Sequence, residues 1–380
     1  VKSIVMLFNV CAVYIKIMNN ENQTIHKSDD NLTIYGWNEK LNQLKQESIY
    51  SALAHGRVSI VHRTCYEVIS GNGLFQCELT GNMMYGKSDD ELPCTGDWVI
   101  FQPFDEHKGI IVDRLPSERT LYRKKSGTVA DKQVIASYVD KAFIVQSLDD
   151  NFNVRRVERF MVQIMEENIS SVLVLNKADL DFDRQSVEEQ IKHISSQIPV
   201  FFTSIHQLET IVRLRKSISE GETVVFVGSS GVGKSSLVNA LCEKPVLLTS
   251  DISLSTGKGR HTSTRREMVL MDSSGVLIDT PGVREFGLAI DNPDSLAEVL
   301  EISDYAESCR FKDCKHINEP GCAVIEAVNS GALDSKVYES YLKLRREAWH
   351  FSASEHEKRK KEKSFTKLVE EVKNRKDANR

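Results

Sequence analysis

The rhythm of apolar and polar positions changes several times along the chain. From His55 to Pro116 short runs alternate, as in Arg57-Val58-Ser59-Ile60-Val61 and Leu74-Phe75-Gln76-Cys77-Glu78-Leu79, and Gly71, Gly73, Gly81, Gly86 and Gly96 punctuate them. A period of two marks half-buried strands and the glycines mark turns, so this stretch predicts a small barrel of roughly five strands. An OB-type barrel has that size, and a purely structural β-module is the alternative.

Beyond Arg119 the texture differs. Apolar runs at Ala142-Phe143-Ile144-Val145, Val172 to Leu175, Val200-Phe201-Phe202, Val224 to Val227 and Val276 to Ile278 alternate with helical patterns near Val157 to Met165, Leu208 to Ile218 and Lys234 to Leu241. Such alternation predicts a parallel sheet with crossover helices. After Asn292 the pattern is helical, is interrupted by cysteines, and resumes over Val337 to Trp349. The expected organisation is a polar extension over 1–54, the barrel over 55–117, an α/β domain over 118–290, a helical domain over 291–350 and a basic tail over 351–380. The extension carries one mild helical pattern around Leu41, Leu44 and Ile49 and no recognisable chemistry.

Composition narrows the class. With 380 residues, 41% apolar and 27% charged, the chain is an ordinary globular protein of several domains. The formal charge of -5 hides a basic stretch from Lys343 to Arg380, which suits a solvated helix face or a phosphate backbone. The segment Val1 to Ile17 is apolar, but it falls short of the roughly 18 residues that span a bilayer, and Lys16 interrupts it. Translation is expected to start at Met18, and no membrane partner is expected. Of eight cysteines, Cys11, Cys65, Cys77, Cys94 and Cys242 are scattered, which fits free thiols in a reducing cytoplasm.

The sharpest chemical signal is Gly228-Ser229-Ser230-Gly231-Val232-Gly233-Lys234-Ser235, followed by Ser236, between an apolar strand and a helix. This is a P-loop: glycines let backbone N–H groups close around phosphates, Lys234 reaches the β- and γ-phosphates, and the Ser235 hydroxyl ligates Mg²⁺. Asp279-Thr280-Pro281-Gly282 follows the next strand. There Asp279 can orient Mg²⁺, and Gly282 lets a peptide N–H approach the γ-phosphate. Asn176-Lys177-Ala178-Asp179 follows Val172 to Leu175. Asp179 can accept both guanine donors, which adenine lacks, so the nucleotide is GTP. Asn176 would brace the loop, Lys177 would cover the base face, and Thr203-Ser204 has the character of an accessory base loop.

The loop Gly257-Lys258-Gly259-Arg260-His261-Thr262-Ser263-Thr264 lies between P-loop and Asp279 and suits switch I. Either Thr262 or Thr264 would complete the magnesium shell. Val283 follows Gly282 where Ras-like enzymes place a water-orienting glutamine nearby, so His261 is the candidate for that role. These segments resemble translation-factor GTPases, but the base loop precedes the P-loop, which a circular permutation explains.

Cys309-x4-Cys314-x-His316-x5-Cys322 supplies three thiolates and an imidazole, a closed tetrahedral set for one structural Zn²⁺. Chance clustering of unligated thiols is the bland alternative.

The permuted order, the preceding barrel and the following Cys/His module together resemble the ribosome small-subunit-dependent GTPase family, RsgA or YjeQ. Further matches are Thr95-Gly96-Asp97-Trp98-Val99, Asn153-Val154-Arg155-Arg156-Val157-Glu158-Arg159 and Pro281-Gly282-Val283-Arg284-Glu285-Phe286-Gly287. The resemblance spans roughly residues 55–350. It implies a monomeric cytoplasmic factor that binds the small ribosomal subunit and its rRNA through barrel and zinc module, with GTP hydrolysis coupled to subunit maturation and release. A GTP-gated RNA-binding scaffold with negligible turnover is the competing reading, and a zinc-dependent DNA-binding protein is a weaker one. Ser263, where family members often carry Thr, leaves the choice between the switch threonines open.

Overall fold

The computed structural model describes residues 31–85, 88, 90–124, 132–243, 266–271, 275–279 and 295–352. After a 3-10 turn at Thr33–Tyr35 comes helix α1 (Glu39–Glu47), capped by the Asn38 side chain, which accepts from the Leu41 N–H at 3.1 Å. Five strands follow: β1 (Ala54–Val61), β2 (Tyr66–Ser70), β3 (Gly73–Leu79), β4 (Trp98–Asp105) and β5 (Lys108–Arg114). They run β1-β2-β3-β5-β4, and β4 pairs back onto β1, closing the barrel. The pair β3–β5 is parallel and the others are antiparallel. Val58, Val68, Phe75, Cys77, Phe101 and Ile111 fill the interior. Gly109 is required there, because a Cβ would lie 2.7 Å from the Phe101 ring.

The residues before the barrel belong to its packing. Leu32, Trp37 and Leu41 are buried against Trp98, Ile100 and Leu115, and the Trp37 and Trp98 rings meet edge-on at 4.9 Å. Beneath them Arg57 is fully buried. Its guanidinium donates to the carbonyls of Tyr35, Gly96 and Tyr138, and burial lowers its pKa to about 10.

After an antiparallel pair, β6 (Thr120–Lys124) with β7 (Lys132–Ser137), the α/β sheet begins. It comprises β8 (Lys141–Ser147), β9 (Ser170–Asn176), β10 (Val200–Thr203), β11 (Thr223–Val227), β12 (Glu267–Leu270) and β13 (Val276–Asp279), in the order β10-β9-β8-β11-β13-β12. All neighbours are parallel except β12, which pairs antiparallel with β13. Helix α2 (Val154–Glu166) covers one face, and α3 (Leu208–Lys216) and α4 (Lys234–Leu241) cover the other. Strands shielded on both faces are apolar throughout, which is why β8, β9 and β11 read as unbroken hydrophobic runs.

Two junctions tie the parts together. Strand β12 pairs with β1 at Glu267↔Ile60, so the described strands of barrel and α/β sheet form one continuous sheet. At the other end, the helices α5 (Ala323–Ser330) and α6 (Ser335–Ser352) share the core on the α2 face, through Val324, Tyr341 and Leu344. No helix among the described residues is long and apolar enough to cross a membrane.

Candidate nucleotide site and metal centre

In a doubly wound sheet, ligands bind beyond the carboxyl ends of the strands. There β11 leads into the P-loop sequence, β9 into the segment expected to be the base loop, β10 into the expected accessory loop, and β13 ends at Asp279.

The P-loop backbone needs its glycines. Gly228 has φ +148°, and a Cβ would lie 2.4 Å from the Val145 carbonyl oxygen. Gly233 has φ +91°, and a Cβ would lie 2.4 Å from Asn176 Nδ2. At Gly231, with φ +83°, a Cβ would meet no other described residue within 4 Å, so the glycine is needed there for its left-handed backbone and not for a close approach. Val232 is buried and anchors the loop in the α4-side core. Lys234 Nζ donates to the carbonyls of Gly228 and Ser229, both at 2.6 Å, which holds its charge inside the loop. Ser229, Ser235 and Ser236 are half-buried and Ser230 is exposed; Ser235 and Ser236 lie in the first turn of α4, where N–H groups and the helix dipole favour anions.

Asn176 joins three loops. Its Nδ2 donates to the Val232 carbonyl at 2.9 Å, and its Oδ1 accepts from Thr203 Oγ1 at 3.2 Å. Asp179 is exposed, and its Oδ1 accepts from Ser204 Oγ at 2.5 Å; this hydrogen bond holds the carboxyl below the usual carboxylate range. Backbone contacts fasten the same loops, Ala178 N to Thr203 O at 3.0 Å and Leu148 N to Asn176 O at 2.9 Å. Asp279, half-buried, ends β13 beside β11. Gly282, His261, Thr262 and Thr264 lie outside the described residues.

The ligand atoms of Cys309, Cys314, His316 and Cys322 all lie within 4.8 Å of one another. Cys309 Sγ and Cys322 Sγ are 3.9 Å apart, and each lies 3.4–3.5 Å from His316 Nδ1. Tetrahedral zinc with bonds near 2.3 Å separates its sulfurs by about 3.8 Å, so Cys309, His316 and Cys322 already stand at the spacing that ion needs. His316 takes φ +55°, its carbonyl accepts from Tyr338 Oη at 2.7 Å, and Cys322 is part of the main core. Between these ligands Glu319 accepts from the N–H groups of Ile317, Asn318 and Lys315, which hold its carboxyl down to about 2.

A family model described as RsgA GTPase matches residues 114–289. Another, described as ABC transporter, matches 211–376, a stretch that contains the P-loop. The chain is 76% identical over 359 residues to "Small ribosomal subunit biogenesis GTPase RsgA 1" of Bacteroides thetaiotaomicron, covering 94% of this chain and 99% of that one. This chain belongs to the RsgA GTPase family. A further RsgA, from Methanosarcina acetivorans, is 38% identical over 338 residues, 86% of this chain and 89% of its own. The crystal structure of YjeQ from Thermotoga maritima matches with TM-score 0.59 at 26% identity, covering 78% of this chain and 98% of that one. YloQ, described as a circularly permuted GTPase, shares the fold at TM-score 0.59 and 22% identity, over 81% and 99%. RsgA membership makes the chain a GTP hydrolase, and the strand order explains how the permuted motifs still meet at one sheet edge.

One residue at this edge was missed by sequence reasoning. Asp149, just past β8, accepts from Lys177 Nζ at 2.8 Å through Oδ2, and from Ser147 Oγ at 2.6 Å and Asn151 N–H at 3.0 Å through Oδ1. Burial pushes its carboxyl up, but these donors outweigh it and hold the carboxyl down at about 2. The available signal was only its place, Ser147-Leu148-Asp149 at the carboxyl end of a buried strand, where ligands bind in such sheets.

Proposed function

We propose that this GTPase acts on the small ribosomal subunit during its maturation, binding rRNA through barrel and Cys/His module and leaving when GTP is hydrolysed. The observation that carries the reading is its near full-length correspondence with a Bacteroides relative named for small-subunit biogenesis. The fold supports it: the strand that follows the switch I segment pairs with the barrel, and the Cys/His module shares the core on the α2 face of the same sheet. Around the cluster, Phe311 and Ile317 are exposed among Arg310, Lys312 and Lys315. Basic residues with apolar side chains between them suit an RNA backbone and its unstacked bases.

In the proposed site Asp179 reads the guanine edge, Ser204 holds Asp179, Lys177 covers the base, and the P-loop from Gly228 to Ser236 encloses the phosphates. Bound Mg²⁺ would neutralise developing charge on the phosphates, with Ser235, Asp279 and one of Thr262 or Thr264 to hold it. His261 orients the attacking water. Its oxygen bonds to the γ-phosphorus as the bridging bond to the β-phosphate breaks, giving GDP and phosphate. Zn²⁺ in the four-residue cluster is structural, the chain acts as a cytoplasmic monomer, and intrinsic hydrolysis is weak until the subunit is engaged.

Co-sedimentation tests the proposal. The chain should pellet with purified small subunits when loaded with a non-hydrolysable GTP analogue, should largely dissociate with GDP, and should lose binding steeply with salt. Equal pelleting in both nucleotide states, or none in either, overturns it.

A further inference from the structure

We propose that Asp149 is a positioning residue for the guanine base, acting by anchoring the Lys177 ammonium so that the lysine stem lies flat as the wall of the base site. This deepens the nucleotide reading above and rests on its assignment of the base loop to Asn176, Lys177 and Asp179.

Lys177 needs such an anchor. Its backbone has φ +62°, a left-handed conformation that non-glycine residues adopt at a cost, and its side chain is long and only half-buried. Left to itself, a lysine there would sample many rotamers and place its charge in water. Asp149 removes that freedom. Its Oδ2 takes the ammonium at 2.8 Å, while its Oδ1 is already committed to Ser147 Oγ and the Asn151 N–H. The carboxylate is therefore fixed before the lysine arrives, and Leu148 N–H to Asn176 O fastens its loop to the base loop at 2.9 Å. The division of labour follows from chemistry. Asp179 recognises donors on the base edge and so distinguishes guanine, whereas an alkyl stem contacts a π-face that every purine offers. Asp149 should accordingly control purine nucleotide affinity and leave the guanine preference to Asp179.

Asp149→Asn tests this on the full metal-replete chain, because the amide keeps an acceptor for Ser147 and Asn151 but presents N–H groups to the lysine. Binding of fluorescent GDP and of the inosine analogue, which lacks the exocyclic amine, is titrated for wild type, D149N, D149E, K177M, the double variant D149N/K177M, and D179N. The expected result is a loss of about three- to tenfold for both nucleotides in D149N, with their ratio unchanged. D149E should recover most of that loss, and the double variant should be no weaker than the worse single one, as groups acting through one contact require. D179N should lower the ratio. If D179N leaves the ratio intact, the base-loop assignment itself fails, and the proposal with it. If D179N behaves as expected while D149N binds within twofold of wild type, or D149E is as weak as D149N, or the D149N loss alters the ratio, Asp149 has no positioning role.

Discussion

Asn176 donates its side-chain amide to the Val232 carbonyl at 2.9 Å, so the base loop and the phosphate loop, more than fifty residues apart in sequence, are held by one buried hydrogen bond. The same amide accepts from Thr203. The proposed guanine and phosphate loops are therefore mechanically one unit in this chain.

That bond can be removed. Asn176→Ala strands a buried carbonyl and the Thr203 hydroxyl, which should cost about 1–3 kcal/mol of stability and weaken GTP and GDP binding together. Thermal melting with and without GDP checks both; an unchanged melting temperature in each condition contradicts the bracing role.

Gly233→Ala attacks the same junction from the other side. The conformation at φ +91° and the 2.4 Å approach to Asn176 Nδ2 leave no room for a methyl. Nucleotide affinity should fall at least about tenfold while the barrel stays folded, since the damage is local strain of the order of 1–3 kcal/mol. Fluorescence titration against GDP gives the affinity, and near-wild-type binding would show that the loop can relax.

Metal removal should act on residues 295–352. Cys322 is in the main core and the His316 carbonyl is tied to Tyr338, so the cluster fixes how α5 and α6 meet the sheet. Elemental analysis should find one zinc per chain. A strong chelator, or Cys314→Ser, should lower the melting temperature and open this module to protease. Loss of zinc with no change in melting would make the cluster incidental.

Trp37→Ala tests the residues before the barrel. Trp37 is 6% exposed and packs on Trp98 and His55. Truncation should cost about 3–5 kcal/mol, read as a lower denaturation midpoint. A change below about 0.5 kcal/mol, the range of ordinary surface substitutions, would mark the segment as an appendage.

Much of this architecture is visible in the sequence, for identifiable reasons. The P-loop, the base loop and the cysteine cluster are short, contiguous and chemically constrained, so residue type and spacing speak directly. The parallel strands announce themselves because burial on both faces forces unbroken apolar runs. Other features depend on contacts distant in sequence and leave little local trace. Leu32, Trp37 and Leu41 are three apolar residues in a polar stretch; only the barrel face bearing Trp98 and Ile100 makes them core. Arg57 reads as a surface residue of an alternating strand, yet it is buried beneath that segment with its charge spread over three carbonyls. Asp149 sits in an acidic loop of ordinary appearance, and its importance depends on Lys177, twenty-eight residues later. The pairing of β12 with β1 has no sequence signature, because one short strand meets another across separate patterns.

His261 offers a test confined to the chemical step. His261→Ala should leave GDP affinity unchanged and lower subunit-stimulated hydrolysis by about a hundredfold or more, the usual weight of a proton-handling or water-orienting group. Undiminished hydrolysis would pass the role to another residue.

In the proposed function one guanine nucleotide site, assembled from permuted loops, is switched on by the small ribosomal subunit. Multiple-turnover GTP hydrolysis by the metal-replete chain, measured alone and with purified small or large subunits at stated salt, addresses it most directly. Turnover should be slow for the chain alone, rise steeply with small subunits and stay flat with large ones. A rate indifferent to small subunits, or raised equally by both, would contradict it.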